Sequence, residues 1–176
     1  MASEVTGSQR GWWLEDATPG HVLRHPGGRT IGEAEHLWLA WITHNVSDLH
    51  GDAHAAGRTL WGRPLVLGML TAAIVIGLAE PGTPTSEHGS LGLFDGWTSI
   101  LLTAAVSPGD TLRAESQIAA VRAAPGEASG RVRRTIRGYD QRGNVVAVID
   151  EDRQVSRRPA LGGYRGVRVE NRLLTP

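Results

Sequence analysis

Residues 43–54, reading THNVSDLHGDAH, hold three histidines, two aspartates and an asparagine in one short stretch. A histidine titrates near pH ~6.5, so it can take and return a proton at neutral pH. An asparagine carboxamide has no useful pKa, but its amide can hold a reacting atom in place. His50 and His54 stand four positions apart, with Asp48 and Asp52 beside them. On one helix that spacing turns two imidazoles to one face, as a metal site requires. Gly51 directly follows His50 and weakens such a helix, so no metal is expected here. The chain has no cysteine, which excludes a thiolate nucleophile, a thiolate metal site and a disulfide.

A second chemical group belongs to the backbone. Residues 64–80 read PLVLGMLTAAIVIGLAE, uncharged until the final glutamate and free of proline after Pro64. The pattern predicts a helix from Gly68 to Glu80, about 20 Å long at ~1.5 Å per residue. It is shorter than the roughly 20 apolar residues that span a bilayer. Apolar on nearly every face, it should be buried on nearly every face. Gly68 would open it with a bare N–H, and helix N-termini favour developing negative charge.

Other elements must wrap that helix and carry the polar stretch. Residues 1–10 are polar and expected to be disordered. His21 to His25 reads as a short strand, broken by Pro26-Gly27-Gly28. Thr30 is expected to open a helix, with Glu33 completing a capping box. Leu37, Trp38, Trp41 and Ile42 give that helix an apolar stripe, and the two tryptophans are expected in the core. Ala53 to Thr59 reads as a short helix, and residues 81–89 as a loop. Four strands follow: Ser90 to Thr103, Thr111 to Ala124, Ala128 to Tyr139 and Asn144 to Arg157. Turn residues at 107–110, 125–126 and 140–143 separate them. In the third strand Arg134 shares a face with Val132 and Ile136, so it needs a partner or an open edge. The tail from Pro159 shows no clear periodicity.

At 176 residues the chain is one domain with tails, large enough for a real core. Its 18 basic and 18 acidic residues cancel, and every basic residue is arginine. That balance argues against nonspecific nucleic-acid binding. No basic start precedes an apolar core, so a cytoplasmic protein without membrane contact is expected. A helix-rich half followed by a strand meander makes an α+β domain. The simplest packing wraps the antiparallel sheet around the long central helix, which is the hotdog fold.

The chain resembles the MaoC-like dehydratase family from about Trp12 to Arg158. The resemblance rests on residues 28–35 (GRTIGEAE), Asn45 with residues 49–52 (LHGD), Gly62-Arg63 and Gly68-Met69. Residues 106–112 (VSPGDTL) and 137–143 (RGYDQRG) follow in the family's order. It implies a hotdog domain over residues 11–158, followed by a tail over 159–176. It also implies pairing into a homodimer, no cofactor, and action on enoyl or 3-hydroxyacyl thioesters of coenzyme A or acyl carrier protein.

In the family's hydration motif the histidine falls on His50 and the trailing aspartate on Asp52. The first aspartate falls on Asn45, and the histidine usual before the Gly-Met pair on Leu67. Branches resembling mesaconyl-type hydratases also carry asparagine at the first position. The resemblance thus implies His50, Asn45 and Gly68 as catalytic, with Asp52, Leu67 and Met69 along the substrate. Hydration of a thioester needs a base, an acid for the α-carbon and a donor for the enolate oxygen. His50 fits the base and the Gly68 N–H fits the donor. Conjugate addition of an amine, thioester hydrolysis and noncatalytic acyl-thioester binding remain alternatives on the same fold. Arginines could clamp a phosphate of the carrier.

Overall fold

The computed structural model describes residues 5–6, 13–80 and 93–158. The expected disorder over 1–10 lies largely outside them, although Val5–Thr6 form a short strand, β1, parallel to the strand at Val22–Arg24. The loop at 81–89 and the tail at 159–176 also lie outside them.

Chain order runs through β2 (Val22–Arg24), β3 (Arg29–Thr30), helix α1 (Glu33–Ile42), α2 (Asp48–Gly51), α3 (Ala53–Ala56) and α4 (Gly68–Ala79). Four long strands follow: β4 (Leu93–Leu102), β5 (Thr111–Arg122), β6 (Ser129–Tyr139) and β7 (Val145–Ser156). The sheet order is β1-β2-β5-β6-β7-β4, with β3 also paired to β5. All pairs but β1–β2 are antiparallel. The sheet curls around α4, so the chain has the α+β hotdog architecture expected of its sequence.

The register explains the packing. Ser116, Ile136, Ile149 and Ile100 lie side by side across β5, β6, β7 and β4. On α4, Ala72, Ile74 and Val75 are buried against this face. Each fully buried valine or isoleucine contributes roughly 1.5–3 kcal/mol relative to exposure. Gly138 allows a close helix–sheet approach, since a Cβ there would overlap the side chain of Val75.

One row further along β6 and β7 the inward pattern turns ionic. Arg134 lies opposite Glu151, and both are buried. Arg134 donates from Nε to Glu151 Oε1 at 2.5 Å, from Nη1 to the Ala79 carbonyl at 3.0 Å and from Nη2 to Glu80 Oε1 at 3.0 Å. Arg153 pairs with the same two glutamates. Two cations and two anions thus balance, and Arg134 closes the C-terminus of α4, where cations are favoured. Arg134 has the partner its position demanded.

Two expectations for α1 need correction. Thr30 lies in β3, paired with Thr111, and does not open the helix. The helix begins at Glu33, where Glu35 Oε1 accepts the Gly32 N–H at 2.7 Å. Trp38 and Trp41 are 63% and 61% exposed and pack edge-on against each other outside the core. The face of α1 that is buried carries His36 and Ala40 instead. An i, i+4 pair of small and polar residues therefore meets the domain, while Trp38, Trp41 and Ile42 of the apolar stripe face outward and Leu37 is half-buried. Among the described residues no helix is long and apolar enough to cross a membrane.

Candidate active site

Residues after α1 reach the site through a tight turn. His44 adopts φ 53°, and the Asn45 N–H donates to the Ala40 carbonyl at 2.9 Å. The Asn45 Oδ1 accepts the Ser47 N–H at 3.3 Å, an asparagine turn that leads into α2. Asn45 is exposed, and among the described residues no hydrogen bond joins it to His50.

His50 sits in α2 with its ring half-buried. Its Nδ1 lies 2.7 Å from the Leu65 carbonyl. A carbonyl only accepts, so Nδ1 carries the proton and Nε2 of the neutral ring keeps its lone pair. The Leu65 N–H donates to the Leu49 carbonyl at 3.0 Å, so residues 49–50 and 65 are bonded in both directions. Val66 then donates to the Val106 carbonyl at 2.8 Å. His50 is thereby fastened to the segment that enters α4 three residues later.

Leu67 is buried and precedes α4; its carbonyl accepts from Leu70 at 3.0 Å and Thr71 at 3.1 Å. Gly68 is the first helical residue, and its N–H has no backbone acceptor among the described residues. The structure explains the glycine by a neighbour: a Cβ at 68 would run into Leu102 Cδ1 of β4. Met69 is exposed. Asp52 separates α2 from α3 in extended conformation, and its Oδ1 accepts the Ala55 N–H at 2.9 Å. That backbone hydrogen bond, opposed by slight desolvation, holds the Asp52 carboxyl below its usual range. The break at Asp52 puts His50 and His54 on separate helices, so the single-helix metal geometry does not form.

The two later motif pieces buttress this arrangement. Asp110 is buried; its Oδ2 accepts the Ser107 N–H at 2.9 Å and its Oδ1 accepts from Gln141 at 2.8 Å. Arg63, just before the Leu65 segment, reaches Asp110 at 3.6 Å. Asp140 closes the β6–β7 turn by accepting from the backbone of Arg142 and Asn144, each at 2.9 Å. Burial alone would raise its carboxyl, but bonds from Asn144 and Arg142 bring it down to about 2.

No motif or spacing in the sequence singles out His36, yet it touches the catalytic candidate directly. Its Nε2 lies 2.8 Å from the His50 carbonyl, and the two rings meet edge-on at 6.1 Å. The available signal was a lone histidine four residues before Ala40, which only the burial of that face makes meaningful.

The family described as "MaoC like domain" matches residues 15–137. Among curated proteins none matches the chain by sequence. The chain is similar in structure to the MaoC-like dehydratase from Rhodospirillum rubrum, with TM-score 0.72, 25% identity, and coverage of 85% of this chain and 100% of that one. It is also similar to an (R)-hydratase from A. caviae involved in PHA biosynthesis, with TM-score 0.59, 25% identity, and coverage of 77% and 94%. A conserved hypothetical protein from Mycobacterium tuberculosis with a double hotdog fold matches at TM-score 0.67 and 20% identity, covering 89% and 47%.

Proposed function

Because the chain belongs to the family of MaoC-like domains, we propose that residues 11–158 form a hydratase/dehydratase for 2-enoyl and 3-hydroxyacyl thioesters of coenzyme A or acyl carrier protein. The observation that carries this reading is the His50 tautomer. With Nδ1–H held by the Leu65 carbonyl, Nε2 is the basic atom offered to a substrate. In the hydration direction a water oxygen adds to C3 of the enoyl group and its proton passes to His50 Nε2. The resulting enolate oxygen is held by the Gly68 N–H at the start of α4. The imidazolium then returns its proton to C2, and His50 is regenerated. Asn45 orients the incoming water through its amide. Asp52, Leu67 and Met69 line the substrate path.

Asn45 favours a second reading, addition of an amine to the same enoyl thioester. An uncharged amine needs no acidic partner beside His50 to become a nucleophile. Incubation with crotonyl and longer enoyl thioesters of both carriers, with and without amines, separates the readings by mass spectrometry. A gain of water supports hydration, and a gain of amine supports the second reading. Release of free acid, or no change, overturns both.

We also propose a homodimer joined edge to edge along β4. That strand has β7 on one side and no strand on the other among the described residues. Its exposed Trp97 and Leu101 add apolar surface to an open edge of the kind that proteins cover. A sedimentation mass of one chain at micromolar concentration would rule this out.

A further inference from the structure

Helix α1 buries only two of its side chains fully, Ala40 and His36. Ala40 is what close packing asks for. A histidine 1% exposed is a costlier choice, because a phenylalanine of similar size would fill the space without burying two ring nitrogens. One nitrogen is satisfied: Nε2–H donates to the His50 carbonyl at 2.8 Å. The other, Nδ1, is buried without a hydrogen-bond partner. Buried polar groups left half-satisfied call for a functional reason.

The carbonyl of His50 supplies that reason. It lies near the C-terminal end of a four-residue helix, where carbonyls have no intrahelical donor. We infer that His36 is a positioning residue for His50, resting on the reading of His50 as the catalytic base. Three bonds then hold the residue. The His50 N–H donates to Ser47 at 2.9 Å, its carbonyl accepts from His36, and its Nδ1–H donates to Leu65. The peptide is held from α1 on one side, and only with the peptide in that place does the ring reach the Leu65 carbonyl of the segment before α4 on the other. The two rings also meet edge-on, with centroids 6.1 Å apart. His36 therefore acts on the reaction through the aim of Nε2, without touching substrate.

Three variants and two readouts test this. Long-range nitrogen–proton NMR reads the His50 tautomer directly and needs no substrate. Steady-state kinetics on an enoyl thioester separates kcat from KM. His36→Phe fills the space and removes the donor. His36→Asn keeps polarity but is too short to reach the carbonyl. His36→Gln restores a donor near the place of Nε2. The expected result is a single Nδ1–H form of His50 in the native protein and in His36→Gln. In the Phe and Asn variants both tautomers should appear, and kcat should fall about 10- to 100-fold with KM little changed. An unaltered His50 spectrum in a folded Phe or Asn variant overturns the inference. If no thioester reacts with the native protein, the function is wrong, yet the NMR comparison still decides the positioning role.

Discussion

The Nδ1–H of His50 donates to the Leu65 carbonyl at 2.7 Å, and this one bond decides which ring nitrogen can work as a base. His50→Ala removes both the bond and the base. Turnover of an enoyl thioester is expected to fall roughly 100- to 10,000-fold. Stability should fall by only about 1 kcal/mol, the value of one ordinary hydrogen bond. Initial rates and urea unfolding on the same preparation check the two effects. A fully active variant would remove His50 from the reaction.

Asn45→Asp is expected to raise the hydration rate. The turn tolerates the change, because a carboxylate oxygen accepts the Ser47 N–H as the amide oxygen does. The new carboxylate should add a second titrating group to the pH–rate profile. An unchanged rate and profile would mean that Asn45 does not occupy the family aspartate's place.

Gly68 faces two demands, and a paired substitution separates them. Gly68→Val pushes into Leu102, so overpacking should cost about 1–3 kcal/mol. Adding Leu102→Ala opens that space and should recover most of the melting temperature. If the Gly68 N–H serves the thioester oxygen, the double variant still loses roughly 100- to 1000-fold in rate. Recovery of rate together with stability would reduce Gly68 to a packing residue.

Arg134→Met leaves Glu151 buried with one cation fewer, and Glu151 Oε2 already lacks a partner. The cluster becomes net negative, and the expected loss is about 3–5 kcal/mol in urea unfolding. Arg134→Met combined with Glu151→Leu keeps Arg153 paired with Glu80 and restores neutrality. The double variant should therefore be more stable than Arg134→Met alone; a further loss would contradict the charge-balance account.

His25 makes stability depend on mild acid. Burial, then the Arg134 guanidinium, pushes its imidazole down to about 4, against the opposing pull of Glu115. The unfolded chain, with its histidine near 6.5, binds more protons between these values. Stability is thus complete above pH 6.5 and is lost as pH falls toward 4. The dry limit is about 3 kcal/mol, reduced to about 1–2 by solvent reaching the half-buried ring. His25→Gln should flatten the pH dependence of urea unfolding across that window, and an unchanged slope would assign it elsewhere.

The elements that carry their own punctuation were legible before the structure. The run from Gly68 ends at Ala79 because its residues are apolar up to a glutamate, and the long strands stop within a few residues of their turn signals. In α1 the reading failed for a physical reason. Leu37, Trp38, Trp41 and Ile42 form a stripe at helical spacing, but spacing says only that a face is apolar, not which neighbour covers it. The buried face, His36 and Ala40, carries no apolar signal strong enough to compete. His50 was legible through its motif. The Leu65 carbonyl that fixes its tautomer was not, because any residue supplies a carbonyl and no side chain announces it. Leu102 was hidden from Gly68 for a similar reason: thirty-odd residues separate them, and only sheet curvature brings them together.

The knot of Arg134, Glu151, Arg153 and Glu80 also governs how the domain meets heat. Water solvates isolated charges less favourably as temperature rises, so the penalty for keeping these four inside shrinks on warming. The apolar rows around Ile149 gain nothing comparable. A growing share of cohesion at high temperature therefore passes to the place where β6 and β7 grip the end of α4.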